Sequence, residues 1–173
     1  MKLDVRRLNR LLSNLYSDMK NLSDEDRDLP MKWSVMHMYS SSQLAVLMAL
    51  KKDLDPELLG IIAAIHDIGA VKTKRRENHA RNASKYIYEL VNQYNSTWRG
   101  NLDEITKEEL EIIHDAVINH SDKEIISDNI YVEAMKDVDS LDRYLHGIKI
   151  KGGHISHLEN MLELFDIIID DTK

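Results

Sequence analysis

The stretch Ile61-Ile62-Ala63-Ala64-Ile65-His66-Asp67-Ile68-Gly69 constrains this chain more than any other. Its apolar residues read as the last turns of a buried helix, and they run straight into a histidine and an aspartate. An imidazole and a carboxylate at the end of such a helix cost free energy unless a partner satisfies them. Two readings fit. One is a capped helix end whose histidine is hydrogen-bonded within the core. The other is a divalent metal site, because imidazole nitrogen and carboxylate oxygen are both ordinary ligands. Consecutive helical residues point about 100° apart, so the pair reaches one ion from neighbouring sides, or Asp67 bridges two.

The rest of the chain bears on that choice. At 173 residues it is expected to form one domain, over 1–173, large enough to bury a core. Cysteine is absent, so disulfides, thiolate metal sites and cysteine nucleophiles are excluded. Any metal must be held by His, Asp and Glu, and eight histidines are present. The net charge of -7 argues against general nucleic-acid binding. There is no apolar run of membrane-spanning length and no signal-peptide pattern, so a cytoplasmic protein without a membrane partner is expected. Two prolines, six glycines and one phenylalanine leave little material for turns and strands, which favours an all-α helical bundle.

Periodicity divides the chain into helices. From about 4 to 20, Leu8, Leu11, Leu12, Leu15 and Met19 form one apolar face. Pro30 suits the start of a second helix, about 31 to 52, on which Trp33, Met36, His37, Leu44, Leu47 and Met48 recur near one side. His37 thus lies among residues expected to face inward. Asp55-Pro56-Glu57 supplies an N-cap, a first-turn proline and an acidic first turn for the helix that leads to His66. The short loop between these helices predicts antiparallel packing, which brings His37 back beside His66. A fourth helix is expected over about 78 to 94, with Ala83, Ile87, Leu90 and Val91 inward and His79 in its first turn.

Between His66-Asp67 and His79 runs the most basic stretch of the chain, with Lys72, Lys74, Arg75 and Arg76, and Arg81 just beyond. A charge run usually reads as a solvated loop. This one follows directly on the His-Asp pair. Asn95 to Asp103 reads as a polar loop, and Thr106 to Glu109 as a capping box opening a helix through about Asn119, with Leu110, Ile113 and Val117 inward. His120, at that helix end, is free to turn toward a site, whereas His114 reads as a surface or packing residue. Val132, Met135, Val138, Leu141 and Leu145 stripe a helix over about 129 to 146. Asp139 lies beside that stripe and Asp142 follows it. An acid in that place needs a partner, either a metal or an arginine. A last amphipathic helix is expected over His157 to Ile169.

The order His37, His66-Asp67, Asp139 on successive helices resembles the HD superfamily of metal-dependent phosphohydrolases. Trp33-Ser34-Val35-Met36-His37 matches the first histidine and Ala64-Ile65-His66-Asp67-Ile68-Gly69 the eponymous pair. Asp137-Val138-Asp139-Ser140-Leu141-Asp142 resembles the family's terminal Ala-Asp-x-Leu-Asp element, which selects Asp139 as the ligand with Asp137 as the alternative. The resemblance covers about residues 31 to 146. Asn78-His79-Ala80-Arg81 and Ile118-Asn119-His120-Ser121 are similar to the extra histidine motifs of members with two metals. Departures are visible too. Where many members carry lysine after the His-Asp-x-Gly, this chain has Ala70, with Lys72 two residues on. The Gly-Tyr-Pro signature of cyclic-dinucleotide phosphodiesterases is absent.

The resemblance implies His37, His66, Asp67 and Asp139 on one divalent ion, and Asp67, His79 and His120 on a second. Ligand type suits Mn, Fe, Mg, Co or Zn alike. It implies hydrolysis of a phosphomonoester or phosphodiester, of a nucleotide or related small molecule, by metal-activated water. Asp67 would then act in catalysis, and Asp142 would orient a ligand or serve as a base. Lys72, Arg76 and Arg81 are the candidate substrate-binding cations. The same residues are compatible with a non-catalytic nucleotide- or metal-binding regulatory module, or with a diiron oxygenase. A homo-oligomer is compatible with the sequence as well.

Overall fold

In a computed structural model, residues 3–97 and 100–168 are described, and among them the chain is helical with no strand. Helix α1 (Arg6–Met19) buries Leu8, Leu11, Leu12, Leu15 and Met19, the face set by their spacing. It has no side-chain N-cap of its own. Glu57 takes that role from another helix, accepting from the backbone N–H groups of Arg7 at 2.7 Å and Leu8 at 3.4 Å.

Helix α2 (Met31–Lys52) ends at Asp53 in the left-handed conformation, and α3 (Pro56–Ile65) follows at once. Asp55 caps α3, accepting from Glu57 N and Leu58 N at 2.9 Å each. Every residue of α3 from Glu57 to Ile65 is buried, and α1, α2, α7 (Lys107–Asn119) and α8 (Ile130–Leu145) all pack on it. Burying each of its leucines and isoleucines contributes about 1.5–3 kcal/mol, so α3 is the post around which the bundle forms. It runs antiparallel to α2. Ser41 Oγ on α2 lies 3.3 Å from Ala63 O, and His37 one turn earlier meets His66 one turn later.

Three N-termini are tied by one arginine. Arg7 places Nε 2.6 Å from Glu57 and Nη2 2.7 Å from Glu109, joining α1, α3 and α7. Thr106 and Glu109 form the expected capping box of α7. No helix among the described residues is long and apolar enough to cross a membrane.

Beyond α3 the chain departs from the simple periodic reading. Helix α4 (Ile68–Thr73) occupies part of the basic stretch, and the helix expected over 78 to 94 is divided at Ala83 into α5 (His79–Asn82) and α6 (Ser84–Ser96). The junction lies on Gly69 of α4, where a Cβ would stand 1.9 Å from His79 O and 2.9 Å from Ala83 N, so α5 lies against a bare backbone. On α2 and α8 the apolar stripes need correction: Met36, Leu47 and Leu145 are exposed, whereas Met38 and Ala45 turn inward beside His37 and Met48. The last helix, α9 (His154–Leu164), starts one turn before His157 and ends before Ile169, which lies outside the described residues. The expected loop from Asn95 to Asp103 is partly outside them too, and α6 extends through Ser96.

Candidate metal centre

His66 and His120 are the C-caps of α3 and α7, and His79 opens α5. All three rings turn back on the carbonyl three residues earlier. Nδ1 of His66 lies 2.7 Å from Ala63 O, that of His79 2.7 Å from Arg76 O, and that of His120 2.6 Å from Val117 O. For His66 and His120 the acceptor is one of the carbonyls a helix end leaves unpaired, so a single bond satisfies the helix and aims the ring. His37 comes from the middle of α2. Its ring stacks on Trp33 at 5.1 Å and its Nδ1 is 2.5 Å from Asp142 Oδ2.

Each Nδ1 faces an acceptor, a carbonyl for His66, His79 and His120 and the Asp142 carboxylate for His37, so a proton belongs on Nδ1 and Nε2 is the atom each ring turns to the centre. The Nε2 atoms then meet in pairs, 3.0 Å apart for His37 and His66 and 3.1 Å apart for His79 and His120. Two ring nitrogens at such distances need a positive charge between them, either a shared proton or a metal ion. The carboxylate of Asp67 divides between the pairs. Its Oδ2 stands 3.6 Å from His37 Nε2 and 3.7 Å from His66 Nε2, and its Oδ1 3.0 Å from His79 Nε2 and 3.8 Å from His120 Nε2. Asp139 Oδ1 completes the first group, 3.3 Å from His37 Nε2 and 3.9 Å from His66 Nε2.

Donor sets of imidazole nitrogen and carboxylate oxygen, with each ring's far nitrogen already hydrogen-bonded, fit divalent metal ions. His37, His66 and Asp139 offer one atom each within 4.8 Å of one another, and so do His66, Asp67 and His120. The electrostatics agree. Burial alone would lower His37, but Asp139, Asp142 and Asp67 outweigh it and raise the ring to about 9, so positive charge is favoured at that point. His66 is pushed down by burial, and so is His120, with neighbouring cationic groups adding to the effect. Burial would raise Asp67 and Asp139, yet both are held well below the usual carboxylate range. The His66 and His79 rings do this for Asp67, and Lys123 and His37 for Asp139.

The other expected residues fall in different places. Asp142 is buried behind the His37 ring, opposite Nε2, with one oxygen on His37 and the other without a hydrogen-bond partner. It holds the Nδ1 side of the ring and does not face the Nε2 atoms. Asp137 faces α9 instead, bonded to His157 Nδ1 at 2.7 Å, Asn160 at 3.1 Å and Lys52 at 3.2 Å. His114 packs on Ser84 and Tyr88. The basic stretch splits. Arg76 and Arg81 line an open cavity of about 370 Å³ with His79, Ser121 and Asp122. Lys72 does not join them: it borders a separate groove with Leu15, Asp18, Tyr86 and Glu89. Arg75 is held by both oxygens of Asp26 at 2.9 Å.

Two residues at the centre had no assigned place in the sequence reading. Lys123 Nζ is 2.8 Å from Asp139 Oδ2 and Arg143 Nε is 2.9 Å from Asp139 Oδ1. An arginine one turn beyond Asp139 is a visible i,i+4 signal. Lys123 reaches the site from a loop, and only the fold reveals it. His154 lies nearby, bonded to Ser140 Oγ at 2.8 Å and pushed down to about 4 by burial, with Lys123 and Arg143 adding to it.

Compared with known families, residues 35–144 match the family model described as HD domain. No curated protein and no solved structure matches the chain.

Proposed function

The chain belongs to the HD-domain family, whose members are mostly metal-dependent hydrolases, and on that premise we propose that it is a metal-dependent phosphohydrolase. The bond cleaved is a phosphomonoester or phosphodiester in a small phosphorylated molecule of the nucleotide class. The observation that carries this reading is the convergence of four Nε2 atoms on a carboxylate whose two oxygens are shared between them. His37, His66, Asp67 and Asp139 would hold one ion, and Asp67, His79 and His120 a second. Such ions supply an acidified water and offset the charge that develops on a phosphoryl oxygen.

The chain's own groups do the rest. Ala63, Arg76 and Val117 carbonyls and Asp142 hold every Nδ1, so each ring turns its Nε2 to the centre without rearrangement. Asp67 is the most open of the acids, with its side chain 19% exposed against 5% for Asp139 and 1% for Asp142. Substrate therefore approaches along Asp67. Arg76 and Arg81, in the cavity beside His79, draw a phosphorylated molecule to that opening of an otherwise acidic chain.

The test is a screen of nucleotides and phosphomonoesters with protein stripped by chelator and reconstituted with single divalent ions. Hydrolysis should vanish on stripping and return with metal. Activity that survives thorough metal removal would overturn the reading. Binding of nucleotide with no turnover under any ion would make the chain a regulatory module.

A further inference from the structure

Asp139 is gripped from both ends. Lys123 takes one oxygen and Arg143 the other, and their side chains are 7% and 14% exposed. Neutralising a buried carboxylate would account for one cation, and three further observations exceed that need. First, His37 Nε2 already stands 3.3 Å from the same carboxylate. Second, Lys123 and Arg143 offset Asp67, Asp139 and Asp142 to within one charge, so any divalent ion adds positive charge that an external anion must balance. Third, Arg143 engages Asp139 through Nε alone. Its two Nη atoms make no hydrogen bond to a described residue and are not shut away from solvent.

The placement is directional. Arg143 follows Asp139 by one turn of α8, and Lys123 follows His120 by three residues, so each cation is tethered to a residue of a different half of the centre. A guanidinium fork with free Nη donors matches the oxygens of a phosphate group. We infer that Lys123 and Arg143 form a second anion subsite, on the Asp139 wall, which holds a non-reacting phosphate while the reacting phosphoryl group lies at the metal centre. This rests on the phosphohydrolase reading and narrows its substrate to molecules carrying at least two phosphate groups.

The test is calorimetric titration of metal-loaded protein with inorganic pyrophosphate and, separately, inorganic phosphate, with elemental analysis of each sample. Wild type, Arg143→Ala, Arg143→Lys and Lys123→Met are compared. Arg143→Ala should weaken pyrophosphate by about tenfold or more, the effect of losing a charge-assisted contact, and phosphate by less than about twofold. Arg143→Lys should recover only part, because it restores charge without the fork. Metal content should not change. Equal weakening of both probes would place the arginine on the reacting group and overturn the subsite. No weakening, or a fall in metal content, would reduce the pair to support for Asp139 and overturn it as well. Should Arg143→Ala fail to fold, Arg143→Lys and Lys123→Met decide by the same comparison. Failure of wild type to hydrolyse any phosphorylated compound would sink the phosphohydrolase reading while leaving this binding result intact.

Discussion

Gly69→Ala should damage the second half of the metal centre without replacing a single proposed ligand. An added Cβ would stand 1.9 Å from His79 O, and 2.9 Å from both His79 C and Ala83 N. Ordinary non-bonded contact is about 3.5 Å, so the α5 backbone must retreat by about 1.5 Å. All the obstructing atoms are main chain, which leaves no side chain to rotate away. Overpacking of this kind costs about 1–3 kcal/mol, and for a domain of this size each kcal/mol lowers Tm by about 2–4 °C. The expected fall is therefore about 2–12 °C. His79 Nε2 now sits 3.0 Å from Asp67 Oδ1, and a metal site tolerates ligand displacements of only about 0.2 Å. The variant should lose the ion proposed for Asp67, His79 and His120 and keep the other. Gly60→Ala is the control. Its Cβ would meet Leu8 Cδ2 at 2.6 Å and Val46 Cγ2 at 3.0 Å, both side-chain ends, and a helix gains about 1 kcal/mol from Gly to Ala. That variant should melt near wild type with metal content unchanged. Thermal melts and elemental analysis read both quantities. A Gly69→Ala protein with wild-type Tm and wild-type metal content would refute the argument that this glycine exists to let α5 close on the site.

Further expectations follow from other contacts. Arg7→Met removes the shared partner of Glu57 and Glu109 and should cost about 3 kcal/mol, seen as a shifted denaturation midpoint with metal content unchanged. Asp142→Asn keeps an acceptor for His37 Nδ1 but loses the charge; metal affinity by competitive titration should fall about 10- to 100-fold while the helical signal persists. Replacing Arg76 and Arg81 together should raise KM more than it lowers kcat, whereas Lys72→Ala should alter neither, since Lys72 borders the groove beside Asp18 and Glu89. Matching KM values for all three proteins at low salt would return the basic stretch to a solvated surface.

Much of this was legible in local pattern. The α1 stripe, the Asp55 cap and the Thr106 capping box are short-range signals, and each appears where the residues predict it. The juxtaposition of His37 with His66 follows from one short loop and antiparallel packing. What stayed hidden depends on contacts across the chain. The α5–α6 junction at Ala83 packs on Gly69, more than ten residues earlier, and no property of 78–94 announces it. Met36 and Leu47 are exposed while Met38, Ala45 and Met48 of the same helix are buried, a rotation set by which neighbours pack on α2. Lys123 sits in an unremarkable polar loop and reaches Asp139 only because α8 passes beneath it. The aspartates of the terminal motif have separate tasks. Their order along one helix sends Asp137 to α9, Asp139 to the centre and Asp142 behind His37, a division that follows from the helical rotation between them.

The most direct test is the metal-to-chain ratio of protein purified without chelator, measured by elemental analysis for wild type and for the double variant His79→Ala, His120→Ala. The shared carboxylate of Asp67 predicts two ions per chain in wild type and one in the variant, both proteins remaining helical. A ratio of one that the double substitution leaves unchanged would contradict a centre divided across Asp67, and metal-free wild-type protein that takes up no divalent ion would contradict the centre altogether.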